Sequence, residues 1–270
     1  MLIFQNYRFR DDVKYGTRHP YHEIHTRRPI TLTPPGIIHP DSFDLSDRVT
    51  SIYNQGSIGA CVSNAVGAAI KMKLKSINKS RINPFRAYYD SVNFSRLYNY
   101  NLSRLYEKSK LSDDCGCMVE SALEILDTYS FCDESLFDYT QENFSRFPDL
   151  KASVNASVNG KPEYKFKFNK LQQDLETIKS SIVSGNPVFM GIVLFDSMNR
   201  EVNGLLPTPN LDTDKVISGH CILLDGYDDN KKTFKFVNCW GDKWGNNGFG
   251  YIMYDYAMNE NIAGDIYNII

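Results

Sequence analysis

Long hydrophobic runs are missing from this chain of 270 residues, and neither sign of charge is in large excess. No stretch approaches the roughly 18 consecutive apolar residues that a membrane-spanning helix needs, so we expect no membrane contact. The 30 Lys and Arg residues nearly balance the 32 Asp and Glu residues, which leaves a net charge of −2. This balance gives the whole chain no electrostatic attraction to nucleic acid, and we expect no nucleic-acid partner.

A secretory signal is not evident either, because the apolar opening ends at residue 4 and polar residues follow at once. We therefore expect an intracellular or virion-associated protein whose six cysteines are mostly reduced. Cys115, Cys117 and Cys132 lie near one another in the sequence, but their spacing is wrong for common zinc sites. We predict neither a metal nor a cofactor.

Histidine is scarce in the body of the chain. Four of the five histidines lie within the first 39 residues, and His220 is the remaining one. Imidazole has the ordinary side-chain pKa nearest to neutrality, so proton chemistry near pH 7 usually depends on it. A general base in the body of this protein therefore has a single candidate.

Cys61 is the candidate nucleophile that such a base would activate. The apolar residues after it recur at helical spacing: Val62, Ala65, Val66, Ala69 and Ile70. Gly56 and Gly59 interrupt any helix before it, so we predict that Cys61 lies in the first helical turn. Unpaired N–H groups and the positive end of the helix dipole favour a thiolate there, and a neighbouring imidazolium would stabilise it as an ion pair.

Three further residues complete a mechanism. The oxygen of Asn238 can accept a hydrogen bond from one imidazole nitrogen and so fix the tautomer of the histidine. Trp240, two residues on and on the same face of a strand, would cover that hydrogen bond from water. Gln55 can donate to a developing oxyanion together with the Cys61 backbone N–H.

In this order and spacing the residues resemble the papain-like cysteine peptidases. Gln55 precedes Cys61 by six residues, and His220 and Asn238 follow in family order, so that the likeness covers roughly residues 40 to 256. The resemblance implies an α+β, two-lobed fold with a helical domain and an antiparallel β-rich domain on either side of a cleft. It also implies a thiol peptidase that hydrolyses polypeptides through a thioester acyl-enzyme.

Some positions depart from the usual family pattern. Val62 replaces a common tryptophan, Cys239 replaces the serine of Asn-Ser-Trp-Gly, and Ile58 stands where many secreted relatives have a disulfide cysteine. These departures indicate the less typical viral and bacterial branches rather than lysosomal cathepsins.

Substrate-binding residues are harder to predict. The resemblance makes Gly116 a candidate for the glycine that pairs with substrate backbone, although a simple helix-entry turn explains it equally well. Gly219 and Trp240 are further substrate-binding candidates because they flank the catalytic positions.

We predict three regions: an N-terminal arm (1–40), a helical domain with the nucleophile (41–150) and a β-rich domain with His220 and Asn238 (151–270). Residues 151–162, rich in Asn and Ser, read as the linker between the two domains. The arm either lies over the body or acts as a short inhibitory pro-segment in the cleft, which would make the protein a zymogen. Apolar runs at 188–194, 221–224, 234–237 and 250–254 predict strands.

Other interpretations stay open. Cys61 taken alone is more often a buried apolar residue, and His220 a core histidine. The joint occurrence with Gln55 and Asn238 favours a thiol-peptidase site. An isopeptidase or cell-wall peptide hydrolase on the same fold, and an inactive papain-like binding module, are the alternatives.

Overall fold

The computed structural model describes residues 29–31, 39–80, 91–160 and 166–270, with side chains except at 77–80. Most of the predicted arm lies outside these ranges. Within these ranges, five α-helices that the structure bounds begin before residue 160: α1 (Cys61–Ser80), α2 (Arg96–Tyr106), α3 (Val119–Tyr129), α4 (Gln141–Phe144) and α5 (Leu150–Asn159). Two follow it: α6 (Leu175–Val183) and α7 (Tyr254–Ala257).

Side-chain caps explain where four of these helices begin. The capping oxygens belong to Ser95, Thr140, Asp149 and Asp174, and each accepts a backbone N–H from the first turn of its helix. Such caps satisfy N–H groups that the helix itself leaves unpaired. Helix α6 accordingly begins at Leu175, after the cap at Asp174, whereas Leu171 forms a parallel bridge with Ile30.

The second half of the chain forms most of an eight-stranded sheet. Its strands are β1 (Ser42–Asp44), β2 (Phe168–Lys170), β3 (Val188–Phe195), β4 (Leu205–Leu206), β5 (Val216–Asp228), β6 (Thr233–Val237), β7 (Phe249–Met253) and β8 (Ala263–Ile269). They lie in the order β2-β8-β3-β5-β6-β7-β4, with β1 paired to β5. The β4–β7 pair is parallel and the others are antiparallel. The four predicted strands and the α+β class are confirmed.

Strand β5 is the central element of the molecule. It has 13 residues, pairs with β3 and β6, and packs against α1. Ile222 and Leu224 on β5 and Ile70 on α1 are all fully buried in the shared core. Because α1 begins with Cys61 and β5 includes His220, this packing brings the two predicted catalytic elements together.

The prediction of a linker at 151–162 is wrong, because residues up to Asn159 form helix α5. Asp149 caps this helix, Ala152 and Ala156 bury one face of it, and the Asn159 amide donates to the Phe131 carbonyl at 2.9 Å. Tertiary contacts to the helical part of the chain thus outweigh the low helix propensity of Asn and Ser. The division into domains at residue 150 stays a prediction.

No described helix is long and apolar enough to cross a membrane. Within the same ranges, no group of three or more His, Cys, Asp or Glu residues could hold a metal ion. All six cysteines are free thiols.

Asp225 is a fully buried carboxyl at a bulge in β5, where the pairing register with β6 shifts. Neither oxygen accepts a hydrogen bond within the described ranges, and the nearest cation is the Lys235 ammonium at 4.0 Å. Burial raises the pKa of Asp225 to about 7, and the nearby Asp44 acts in the same direction, while Lys235 opposes both. The folded protein therefore holds a proton that the unfolded chain releases at lower pH.

We expect Asp225→Asn to become more stable relative to the unsubstituted protein as pH rises from 4 to 8. The folded state binds more protons than the unfolded state in this range, so the unsubstituted protein loses stability as pH rises through about 7, whereas an amide does not titrate. Thermal melts followed by circular dichroism measure the Tm difference, with the exposed Asp212→Asn as control. A Tm difference that is equal at both pH values would contradict this.

Candidate active site

Cys61 is the first residue of α1, as predicted. The carbonyl of Ala60 accepts the first backbone hydrogen bond of the helix, from Asn64 at 3.0 Å. The Cys61 side chain is buried, and the backbone N–H groups of Cys221, Val62 and Cys61 itself lower the pKa of its thiol. The effect of the Cys221 N–H indicates that the sulfur lies close to strand β5, near the residue that follows His220.

The imidazole of His220 is held by Asn238. Its Nε2 lies 2.9 Å from Asn238 Oδ1, which also accepts the Cys239 backbone N–H at 2.8 Å. An amide oxygen only accepts hydrogen bonds, so Nε2 carries the hydrogen of this contact. In the neutral ring Nδ1 is then the nitrogen that can accept a proton.

Two tryptophans cover this hydrogen bond. The ring of Trp240 stacks on His220 with centroids 4.6 Å apart, and Trp244 meets the Trp240 ring edge-on at 5.0 Å. His220 is consequently only 3% exposed. Exclusion of water strengthens the hydrogen bond to Asn238 and limits rotation of the imidazole.

Gln55 is joined to the segment that contains Asn238. Its backbone N–H donates to the Cys239 carbonyl at 2.8 Å, and its side-chain Oε1 accepts the Cys239 thiol at 2.9 Å. The Nε2 of the same amide donates to the Ile58 carbonyl at 2.9 Å. The structure therefore brings Gln55 to the catalytic segments, as the sequence predicted.

A buried arginine supports the loop before Cys61, and sequence reasoning missed it. The guanidinium of Arg96 lies between the rings of Tyr53 and Tyr139, at 4.6 and 3.8 Å, and pairs with Glu134 at 2.6 Å. The hydroxyl of Tyr139 then donates to the Gln55 carbonyl at 2.9 Å. This cation–π stack fixes the backbone that presents the Gln55 amide.

Gly116 belongs to a short series of hydrogen bonds that ends at Gly59, in the loop before Cys61. Its N–H donates to the Tyr100 hydroxyl at 3.0 Å, which donates to Asp114 at 2.6 Å. Both oxygens of Asp114 accept the Gly59 N–H at 3.0 Å. Gly219, in contrast, is an internal β5 residue opposite Val193. Substrate binding by Gly116, Gly219 and Trp240 stays a prediction.

Burial acts on both predicted reactive groups. It raises the pKa of Cys61 to about 11, against the three backbone N–H groups that lower it. It lowers the pKa of His220 to about 4, against the hydrogen bond that the imidazole donates to Asn238. Desolvation therefore favours a neutral thiol and a neutral imidazole, whereas the sequence predicted an ion pair. Proton transfer from sulfur to imidazole has to be stabilised by the attraction between the two charges that it creates.

Comparison with known proteins identifies the family. The sequence profile described as papain family cysteine protease matches residues 39–269. The chain belongs to the papain family. An uncharacterised peptidase C1-like protein of Acanthamoeba polyphaga mimivirus is 31% identical in a 240-residue alignment; the match covers 84% of this chain and 73% of the relative.

Solved structures agree with this assignment. Xylellain, a cysteine protease from Xylella fastidiosa, superposes with a TM-score of 0.77 at 25% identity, over 89% of this chain and 91% of xylellain. Digestive procathepsin L 3 of Tenebrio molitor larval midgut superposes with a TM-score of 0.61 at 18% identity, over 87% and 72% of the two chains. The papain-like fold and the resemblance to viral and bacterial members are confirmed.

We expect the alkylation of Cys61 by iodoacetamide to continue from neutral pH down to about pH 4 and to fall below it. Above that pH His220 is neutral and can take the thiol proton, whereas below it the ring is already protonated. In His220→Ala no imidazole can take the proton of Cys61. Because the pKa of this thiol is raised, its alkylation then requires strongly alkaline solution.

Mass spectrometry of the modified peptide measures the rate at Cys61 alone, which matters because the half-buried thiol of Cys115 is also expected to react. Equal rates for His220→Ala and the unsubstituted protein at pH 6 would contradict the assigned role of the imidazole.

Proposed function

We propose that this papain-family chain is an active cysteine peptidase that cleaves peptide bonds through a thioester acyl-enzyme. The observation that carries the proposal is the meeting of α1 and β5. Helix α1, which begins with Cys61, packs against β5, which contains His220. The backbone N–H of Cys221, one residue beyond His220, lowers the pKa of the Cys61 thiol, and Asn238 orients His220. A complete set of nucleophile, base and orienting group supports catalysis rather than binding alone.

In acylation, Cys61 Sγ attacks the carbonyl carbon of the scissile peptide, and its proton passes to His220 Nδ1. The carbonyl oxygen becomes an oxyanion, which the Cys61 backbone N–H and the Gln55 amide stabilise. The imidazolium then gives its proton to the leaving nitrogen, the C–N bond breaks, and a thioester remains on Cys61.

In deacylation, water attacks the thioester carbonyl while His220 removes one of its protons. The C–S bond breaks, the acyl group leaves as a carboxylic acid, and the proton returns to sulfur. The hydrogen bond to Asn238 keeps the same imidazole nitrogen directed at the reaction in both halves of the cycle. No cofactor takes part in this proposal.

Cys61→Ala should abolish both peptide hydrolysis and labelling by an epoxysuccinyl thiol inhibitor, because the nucleophile is lost. Asn238→Ala should lower kcat by at least about tenfold, because the imidazole loses its orientation. Turnover of a fluorogenic peptide and intact-mass spectrometry measure the two effects.

Cys132→Ala is the matched control, since it removes another buried thiol, which donates to the adjacent Asp133 carbonyl at 3.2 Å. An unsubstituted protein that binds polypeptides but neither cleaves them nor reacts with the inhibitor would show that the fold is an inactive binding module.

We further propose that residues 1–28 restrain the cleft. Ile30 is fixed at the edge of the sheet: its N–H donates to the Lys170 carbonyl at 3.0 Å, and its carbonyl accepts the Gln172 N–H at 2.9 Å. The structural neighbour from Tenebrio molitor is a procathepsin, and a propeptide is the type of element that this proposal assigns to the arm.

Deletion of residues 1–28 should raise the turnover of freshly prepared protein several-fold, since Ile30 and its two hydrogen bonds remain. A synthetic peptide of residues 1–28 should inhibit the shortened protein in trans, and a scrambled peptide of the same composition should not. Equal turnover with and without the segment would contradict the restraint while leaving the catalytic proposal intact.

A further inference from the structure

We propose that Cys239 is a positioning residue that sets the orientation of the Gln55 amide for oxyanion binding. The inference rests on the proposed function, in which Gln55 stabilises the oxyanion. It assigns a role to a residue that departs from the usual serine of the Asn-Ser-Trp-Gly pattern.

The contacts of Gln55 allow one orientation of its amide. The Ile58 carbonyl can only accept a hydrogen bond, so the group facing it at 2.9 Å must be Nε2. The opposite end of the amide is then Oε1, and the Cys239 thiol donates to it at 2.9 Å. A flipped amide would set two oxygens against each other at Ile58, so both contacts specify the same arrangement.

This arrangement leaves a donor for catalysis. Nε2 carries two hydrogens, and the Ile58 carbonyl takes one of them. The other makes no hydrogen bond to the described part of the chain and is available to an oxyanion. Because the thiol holds the oxygen end, the amide need not reorganise as negative charge develops, which is the property that makes such a donor effective.

Cys239 is suited to be a permanent donor. It is only 4% exposed, and burial raises its pKa well above the ordinary thiol value, so that its hydrogen stays on sulfur at neutral pH. The same residue accepts the Gln55 backbone N–H through its carbonyl and donates its own N–H to Asn238. One residue therefore contacts both the oxyanion donor and the group that orients His220.

Two substitutions distinguish the effect of the thiol as a hydrogen-bond donor from the effect of changing the side chain at position 239. Cys239→Ser keeps a donor of similar size and should retain kcat, whereas Cys239→Ala removes the donor and should lower kcat by about threefold to thirtyfold. This is less than the 10²–10³ that loss of a whole oxyanion donor costs. KM should change little, because the contact acts on a charge that exists only in the transition state.

The experiment measures kcat and KM on a fluorogenic peptide for the full chain, Cys239→Ser, Cys239→Ala, Gln55→Ala and the double variant Gln55→Ala/Cys239→Ala. If Cys239 acts through Gln55, its substitution by alanine has no further effect once Gln55 is alanine. Cys61 alkylation by iodoacetamide is measured in parallel. It forms no oxyanion, so Cys239→Ala should leave its rate unchanged, and Cys132→Ala again controls for loss of a buried thiol.

Several results would contradict the proposed role of Cys239. Unchanged kcat in Cys239→Ala, an equal loss of kcat in the Gln55→Ala background, or a parallel loss of alkylation overturns the role of Cys239 and leaves the peptidase proposal standing. Failure of Cys239→Ser to restore kcat overturns it as well. An unsubstituted chain that is alkylated at Cys61 but cleaves no peptide overturns the proposed function, and with it the role of Cys239.

Discussion

The removal of water from the contact between α1 and β5 is the constraint on which the rest of the site depends. The contact brings the Cys61 sulfur, at the start of α1, close to the strand that carries the His220 imidazole. The loss of water also disfavours a charge on the thiol and on the imidazole. Fixed dipoles partly offset the effect of burial on the charged forms. Backbone N–H groups lower the pKa of the Cys61 thiol, and the amide oxygen of Asn238 accepts a hydrogen bond from His220. Reactivity in such a site comes from preorganised polar groups rather than from solvent.

Support for these dipoles comes from residues far apart in the sequence. The Arg96 guanidinium, held between two tyrosine rings and paired with Glu134, stiffens the loop that carries Gln55. Trp240 stacks on His220, Trp244 meets Trp240 edge-on, and the two indoles form an apolar cover. The cation–π stack at the loop and the indole pair at the imidazole limit the movement of Gln55 and His220, which favours a single geometry of the proposed site.

The parts of the fold and of the candidate site that the sequence predicts are those that depend on neighbouring residues or on a fixed order of residues. Gln55, Cys61, His220 and Asn238 occur in a fixed order, His220 is the only histidine after residue 39, and the helix at Cys61 follows from the glycines before it. Strand β8 was missed because Gly264, Asp265 and Asn268 interrupt its apolar alternation, and it forms by pairing with β2 and β3. Helix α5 was misread because its Asn and Ser residues resemble a linker until their tertiary partners are known. The contacts of Arg96 and the direction of each pKa shift depend on burial, which no spacing in the sequence specifies.

The link between the loop before Cys61 and the segment after Asn238 has a mechanical consequence. Asn54 and Trp240 form an antiparallel bridge, flanked by backbone hydrogen bonds from Gln55 to Cys239 and from Gly241 to Tyr53, at 2.8 and 2.9 Å. A hinge motion that separated these two segments would break both of these main-chain hydrogen bonds, in which the buried residues Tyr53, Gln55 and Cys239 take part. In the proposed peptidase, the distance between the two segments is therefore set when the protein folds, and differences in substrate preference would come from residues outside this contact.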